Sequence, residues 1–142
     1  HNPRGIVIDP AGQYAYVANV AFSEVTMYSI TASGTLAPLP SPYGLIVGAH
    51  THAVAVDPTG SYVYAANNFP SYSNLSQFTT DATGHLTALS PVHVAVGPGG
   101  STSGARNAIA IDPSGLNVYV TNSYDNSVYQ YSIDMNGALD PL

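Results

Sequence analysis

Hydrophobic positions along this chain alternate with small or polar ones at a period of two. The same arrangement returns three times. Gly5-Ile-Val-Ile-Asp-Pro-Ala-Gly12, Ala53-Val-Ala-Val-Asp-Pro-Thr-Gly60 and Ala108-Ile-Ala-Ile-Asp-Pro-Ser-Gly115 align without gaps. Each opens with a short apolar run, the pattern of a strand buried on both faces. Large branched residues (Ile6, Val54, Ile109; Ile8, Val56, Ile111) alternate there with smaller ones (Gly5, Ala53, Ala108; Val7, Ala55, Ala110). The Asp-Pro-x-Gly that follows suits a type I turn: Asp bonds its own backbone, Pro presets φ, and Gly closes the turn.

A second apolar strand then runs from Tyr14 to Asn19 and over its equivalents. Asn19, Asn67 and Asn122 each fall ten residues after the turn Asp, with Tyr16, Tyr64 and Tyr119 three residues earlier. The third segment (24–30, 74–80, 127–133) alternates apolar with polar residues, which predicts a strand further out and half wet. A Gly-x-Leu turn comes next (Gly34/Leu36, Gly84/Leu86, Gly137/Leu139), and a fourth strand is expected to end near Tyr43–Gly48 in repeat one and Val92–Gly97 in repeat two. No window has the 3.6-residue period of a helix. The turn aspartates Asp9, Asp57 and Asp112 lie 48 and 55 residues apart. Four strands at a period near 50 predict an all-β fold of propeller blades, a fortuitously repetitive sandwich being the alternative.

Tyr-Ala-Tyr-Val-Ala-Asn19, Tyr-Val-Tyr-Ala-Ala-Asn67 and Asn-Val-Tyr-Val-Thr-Asn122 resemble the YVTN motif. With Asp-Pro-x-Gly before and Gly-x-Leu after, each unit looks like a blade of the lactonase-like seven-bladed propellers, the 6-phosphogluconolactonase-like family. The resemblance covers nearly the whole chain and rests on residues that build the scaffold. It implies one propeller-repeat domain over 1–142, with repeats at 1–48, 49–104 and 105–142. The last repeat is expected to lack its outer strand. Three blades do not close a ring, so the expected partners are the remaining blades of a longer chain or further copies of this one.

The 142 residues suffice for a core. Only 7% are charged, against about a quarter in an average soluble domain. The net charge is −6, and two basic residues, Arg4 and Arg106, leave too little positive charge to grip nucleic acid or an anionic membrane. No apolar run reaches the ~18 residues of a membrane span, and no signal-peptide pattern opens the chain. There is no Cys, which excludes disulfides and thiolate chemistry. That absence, with scarce Lys and abundant Ser, Thr and Tyr, points to an extracellular or surface protein.

Candidate chemistry lies mainly where the first strands begin. Arg4, His52 and Asn107 each stand five residues before the turn Asp. The family resemblance implies that such positions line a channel mouth, where they would meet a carboxylate or a lactone oxygen. Hydrogen bonding to loop carbonyls is the plainer role, and no paired carboxylate accompanies them in the repeat pattern. His50 and His52 form His-x-His, which on a strand puts both rings on one face, and His93 is the candidate third metal ligand. Ordinary loop histidines are the alternative, and no cofactor is expected. The stretch 97–104 is Gly-rich but lacks the Lys-Ser/Thr ending and the helix of a phosphate loop. Asn74-Leu-Ser76 is a glycosylation sequon, expected in a loop. Two functions follow as expectations: a binding or self-assembling structural module, with a small-molecule or glycan ligand, or a lactone hydrolase.

Overall fold

The computed structural model describes residues 2–40, 44–46, 50–68, 72–98 and 107–142. Among them there is no helix, and the strands form three antiparallel sheets, one per repeat. Sheet 1 contains β1 (Pro3–Ile8), β2 (Tyr14–Asn19), β3 (Glu24–Ile30), β4 (Leu36–Pro38) and β5 (Gly44–Ile46), the last two pairing with different halves of β3. Sheet 2 contains β6 (Thr51–Val56), β7 (Tyr62–Asn68), β8 (Tyr72–Thr80) and β9 (Leu86–Pro98). Sheet 3 contains β10 (Ile109–Ile111), β11 (Asn117–Asn122), β12 (Ser127–Ile133) and β13 (Leu139–Pro141). The third sheet thus has a fourth strand, a three-residue one that matches β4 but has no counterpart of β5. The Gly-rich stretch 99–104 and Arg106 lie outside the described residues.

Within a sheet the chain meanders outward from β1, β6 or β10, and these inner strands lie side by side. The small residues at their crossing explain the approach. A Cβ on Gly5 would come within 3.2 Å of Ala53 Cα and of the His52 carbonyl oxygen. The Asp-Pro-x-Gly turns form as expected, with the Gly12, Gly60 and Gly115 amides donating to the carbonyls of Asp9, Asp57 and Asp112 at 2.9–3.0 Å. The aspartate side chains complete the turns, Asp9 Oδ1 accepting from the Gln13 and Tyr14 amides at 2.7 and 2.6 Å.

Two cores fill the spaces between sheets. Tyr16, Val25 and Met27 of sheet 1 meet Val54, Val63, Ala65 and Phe78 of sheet 2. Tyr64, Ala66 and Leu75 of sheet 2 meet Val118, Val120 and Tyr131 of sheet 3. The middle sheet is therefore covered on both sides, and there the half-wet third strand is a misreading. Ser73, Asn74, Ser76 and Gln77 of β8 are all buried and carry hydrogen bonds. The error reverses for the first strand, expected to be buried on both faces. Ile6 and Ile8 of β1 are exposed, because none of the three described sheets lies over that face of sheet 1.

Candidate functional site

The candidate residues sit at the starts of the inner strands, and the backbone there is distorted in a repeated way. Pro3 pairs with Asn19 and Gly5 with Ala18, so Arg4 is an extra residue facing no partner. Thr51 pairs with Asn67 and Ala53 with Ala66, which makes His52 the same kind of bulge. A bulge re-aims a side chain out of the ladder. Arg4 is exposed and His52 half-buried, at one common end of neighbouring strands. Asn107, two residues before β10, is buried, and its Nδ2 has no hydrogen-bond partner among the described residues.

At this end each second strand finishes at its motif asparagine or, in β7, one residue beyond it. In sheet 2, Asn67 accepts from Thr51 Oγ1 at 2.9 Å and donates to Asn74 Oδ1 and Ser76 Oγ at 2.8 and 2.7 Å. In sheet 3, Asn122 Nδ2 donates to the carbonyls of Val96 and Pro98 at 2.9 Å, tying the last strand of the preceding sheet. Asn19 donates to Thr26 Oγ1 at 3.0 Å within sheet 1 and lines an open groove of about 400 Å³ beside Val17, Tyr28 and Pro38. These asparagines hold the scaffold at the end where ligand groups would stand.

The turn aspartates lie at the opposite ends of the same strands, roughly 15 Å away at ~3.3 Å per residue. Hydrogen bonds from Ser114 and Asn117, with the Leu116 amide, hold the Asp112 carboxyl down to about 2. One carboxylate does share the end with Arg4. Glu24 pairs with Asn19, which pairs with Pro3, placing it two strand spacings outward, about 10 Å at ~4.8 Å each. Repeat reasoning passed it over because its equivalents are Asn74 and Ser127; only cross-strand register brings it to the mouth.

The histidines do not come together. His50 precedes β6 with φ at 52°, so it does not continue the strand on which His52 stands. His93 Nδ1 lies 3.0 Å from Ser76 Oγ, and burial lowers its pKa. Among the described residues no three His, Asp or Glu side chains gather. Asn74 is in β8 rather than a loop, buried and bonded to Asn67, so its carboxamide is out of reach of a glycosyl transfer while the sheet is folded.

No protein-family model matches the chain, and no curated protein sequence matches it. Solved structures do. A putative 6-phosphogluconolactonase from Bacteroides fragilis superposes with a TM-score of 0.77 at 23% identity, over 99% of this chain and 37% of its own. The fold is that of a β-propeller. The periplasmic gluconolactonase PpgL of Pseudomonas aeruginosa gives a TM-score of 0.78 at 18% identity, over 98% of this chain and 39% of its own. The β-propeller domain of Cps50 (Swd1) from Myceliophteria thermophila gives 0.63 at 9%, over 97% and 42%. The chain spans less than half the length of each. Its three sheets are thus three propeller blades in sequence.

Proposed function

We propose that this chain is an extracellular or surface propeller repeat protein acting as a binding or self-assembling structural module. The observation that carries the proposal is the pair of open blade faces: sheet 1 and sheet 3 each leave apolar side chains uncovered, as association surfaces do. The engagement of the polar groups supports it too. Asp9, Asp57 and Asp112 tie turns far from Arg4 and His52, and the motif asparagines bond the scaffold. A surface location follows from the scarcity of charge and the lack of Cys. A small-molecule or glycan ligand would meet Arg4, His52 and Asn107 at the mouth.

A lactone hydrolase is the second reading, favoured by the register that brings Glu24 to the end where Arg4 stands. Arg4 would then polarise a lactone carbonyl, and Glu24 would take a proton from the attacking water. Two solved neighbours carry gluconolactonase names. Hydrolysis of glucono-δ-lactone, followed with a pH indicator, separates the two. The module predicts a rate equal to the spontaneous one. Hydrolysis above it, abolished by Glu24→Gln, Arg4→Ala or His52→Ala, would replace the module with the enzyme.

A further inference from the structure

The two open faces are the two halves of one interface. Inside the chain, the contact between consecutive blades is built twice from the same parts. Tyr14 and Tyr62 lay their rings over the turn glycine of the next sheet, so closely that a Cβ on Gly84 or Gly137 would fall 2.3 or 2.1 Å from ring carbons. Their hydroxyls donate to the carbonyls of Ala82 and Met135. Tyr64 donates to the Gly137 carbonyl at 2.8 Å. From β3 or β8 a side chain accepts the amide of the next sheet's Gly-x-Leu leucine: Met27 Sδ from Leu86, Gln77 Oε1 from Leu139. The proline of each Asp-Pro-x-Gly turn sits on the next turn's glycine, Pro10 by Gly60 and Pro58 by Gly115, at 3.3 and 3.2 Å.

At the ends of the chain most of these parts are present and uncovered. The exception is the first tyrosine, since Asn117 stands where Tyr14 and Tyr62 do and bonds Asp112 instead. In blade 1 the receiving glycines, Gly12 and Gly34, keep their positive φ and have open space where the others meet Pro or Tyr. Ile6 is 58% exposed where its equivalent Val54 is 8% exposed. In blade 3 the donating side is bare. Tyr119 is 39% exposed, against 1% and 0% for Tyr16 and Tyr64; Val128 is 58% exposed, against 0% for both Val25 and Leu75. Gln130 occupies the place of Met27 and Gln77 and is exposed.

We propose that a second copy of this chain covers these faces. Blade 3 of one copy docks on blade 1 of the other with Tyr119 donating to the Gly34 carbonyl, as Tyr64 does to Gly137, and Gln130 accepting the Leu36 amide. The occupant follows from continuity: apart from Asn117, the third blade offers what the first blade's face accepts, in the register of the two internal contacts. Such a contact is head-to-tail, and its repetition closes into a ring where the rotations sum to a full circle. Propellers close with about four to eight blades, so two copies, giving six, fit that range, whereas three copies would give nine. The proposal rests on the reading of the chain as an assembling module, and adds its partner and register.

Sedimentation and light scattering of the whole chain test it, alone and in mixtures. The expected wild-type species is a dimer of twice 14.7 kDa. Val17→Asp (blade 1 face) and Val128→Asp (blade 3 face) should each weaken it roughly a hundredfold. An equimolar mixture of the two variants should recover a 1:1 complex, because one intact face of each kind remains; circular dichroism confirms that both are folded. Ile6→Asp, at a more exposed site, replaces Val17→Asp if that variant does not fold. A wild-type monomer at a hundred micromolar overturns the proposal, including the case in which further blades of a longer polypeptide cover the faces. So does association that Val17→Asp abolishes and Val128→Asp leaves intact, since blade 1 would then be pairing with itself. A failed mixture with no lactone hydrolysis sinks the docking alone; hydrolysis with a sound mixture sinks the module alone.

Discussion

Tyr16, Tyr64 and Tyr119 occupy one motif position in three different environments, and their contributions to stability differ accordingly. In a chain kept monomeric by Val17→Asp, Tyr64→Ala should cost about 3–5 kcal/mol and Tyr119→Ala about 1 kcal/mol or less, measured by urea unfolding. Burial is the first cause that raises the Tyr16, Tyr64 and Tyr131 hydroxyls above their usual 10, Tyr131 to about 12. The folded state therefore holds these protons more tightly than the unfolded one. Their stabilisation is complete below pH 10 and lost as pH rises through the folded values. Absorbance near 295 nm should show these three ionising after the exposed tyrosines. Asp112, with its carboxyl near 2 instead of 3.8, acts in the other direction. Stability should be level above about pH 4 and decline between pH 4 and 2, by circular dichroism. The motif residues were legible in the sequence because turn and strand chemistry is local. Their exposure was not, since identical residues differ only in whether another sheet lies over them.

For the strands, what could be read depended on how far each interaction reaches. Turns, strand order and the four-strand unit follow from period and turn residues. The bulges at Arg4 and His52 do not, because a two-against-one pairing is visible only once the register is known. The same holds for Glu24, which no repeat equivalent marks, and for Asn74, whose sequon lies within a buried strand. Polar β8 looked half wet because alternation cannot reveal a side-chain network that satisfies both faces. Asn122 joins sheets 2 and 3 through two carbonyls. Asn122→Ala leaves both without that donor, at an expected cost of about 1–3 kcal/mol in urea unfolding. The same change at Asn19, which bonds Val17 and Thr26 of its own sheet, should cost less.

In the whole molecule, stability is shared through neighbours, as in other repeat architectures. Among the described residues only the middle blade has a like sheet on each side. The end blades keep their strand hydrogen bonds but lack half of the packing that would hold them closed against local opening. This places β7 and β8 in the most stable unit of the monomer, with β1 and β10 opening first. Native-state hydrogen exchange on the Val17→Asp chain measures this strand by strand. The slowest amides should lie in Tyr62–Asn68 and Tyr72–Thr80, and exchange should quicken toward the innermost strands of the end sheets. Exchange as fast in β7 and β8 as in β1, or a single uniform protection across all three sheets, would contradict three stacked blades that depend on one another for cover.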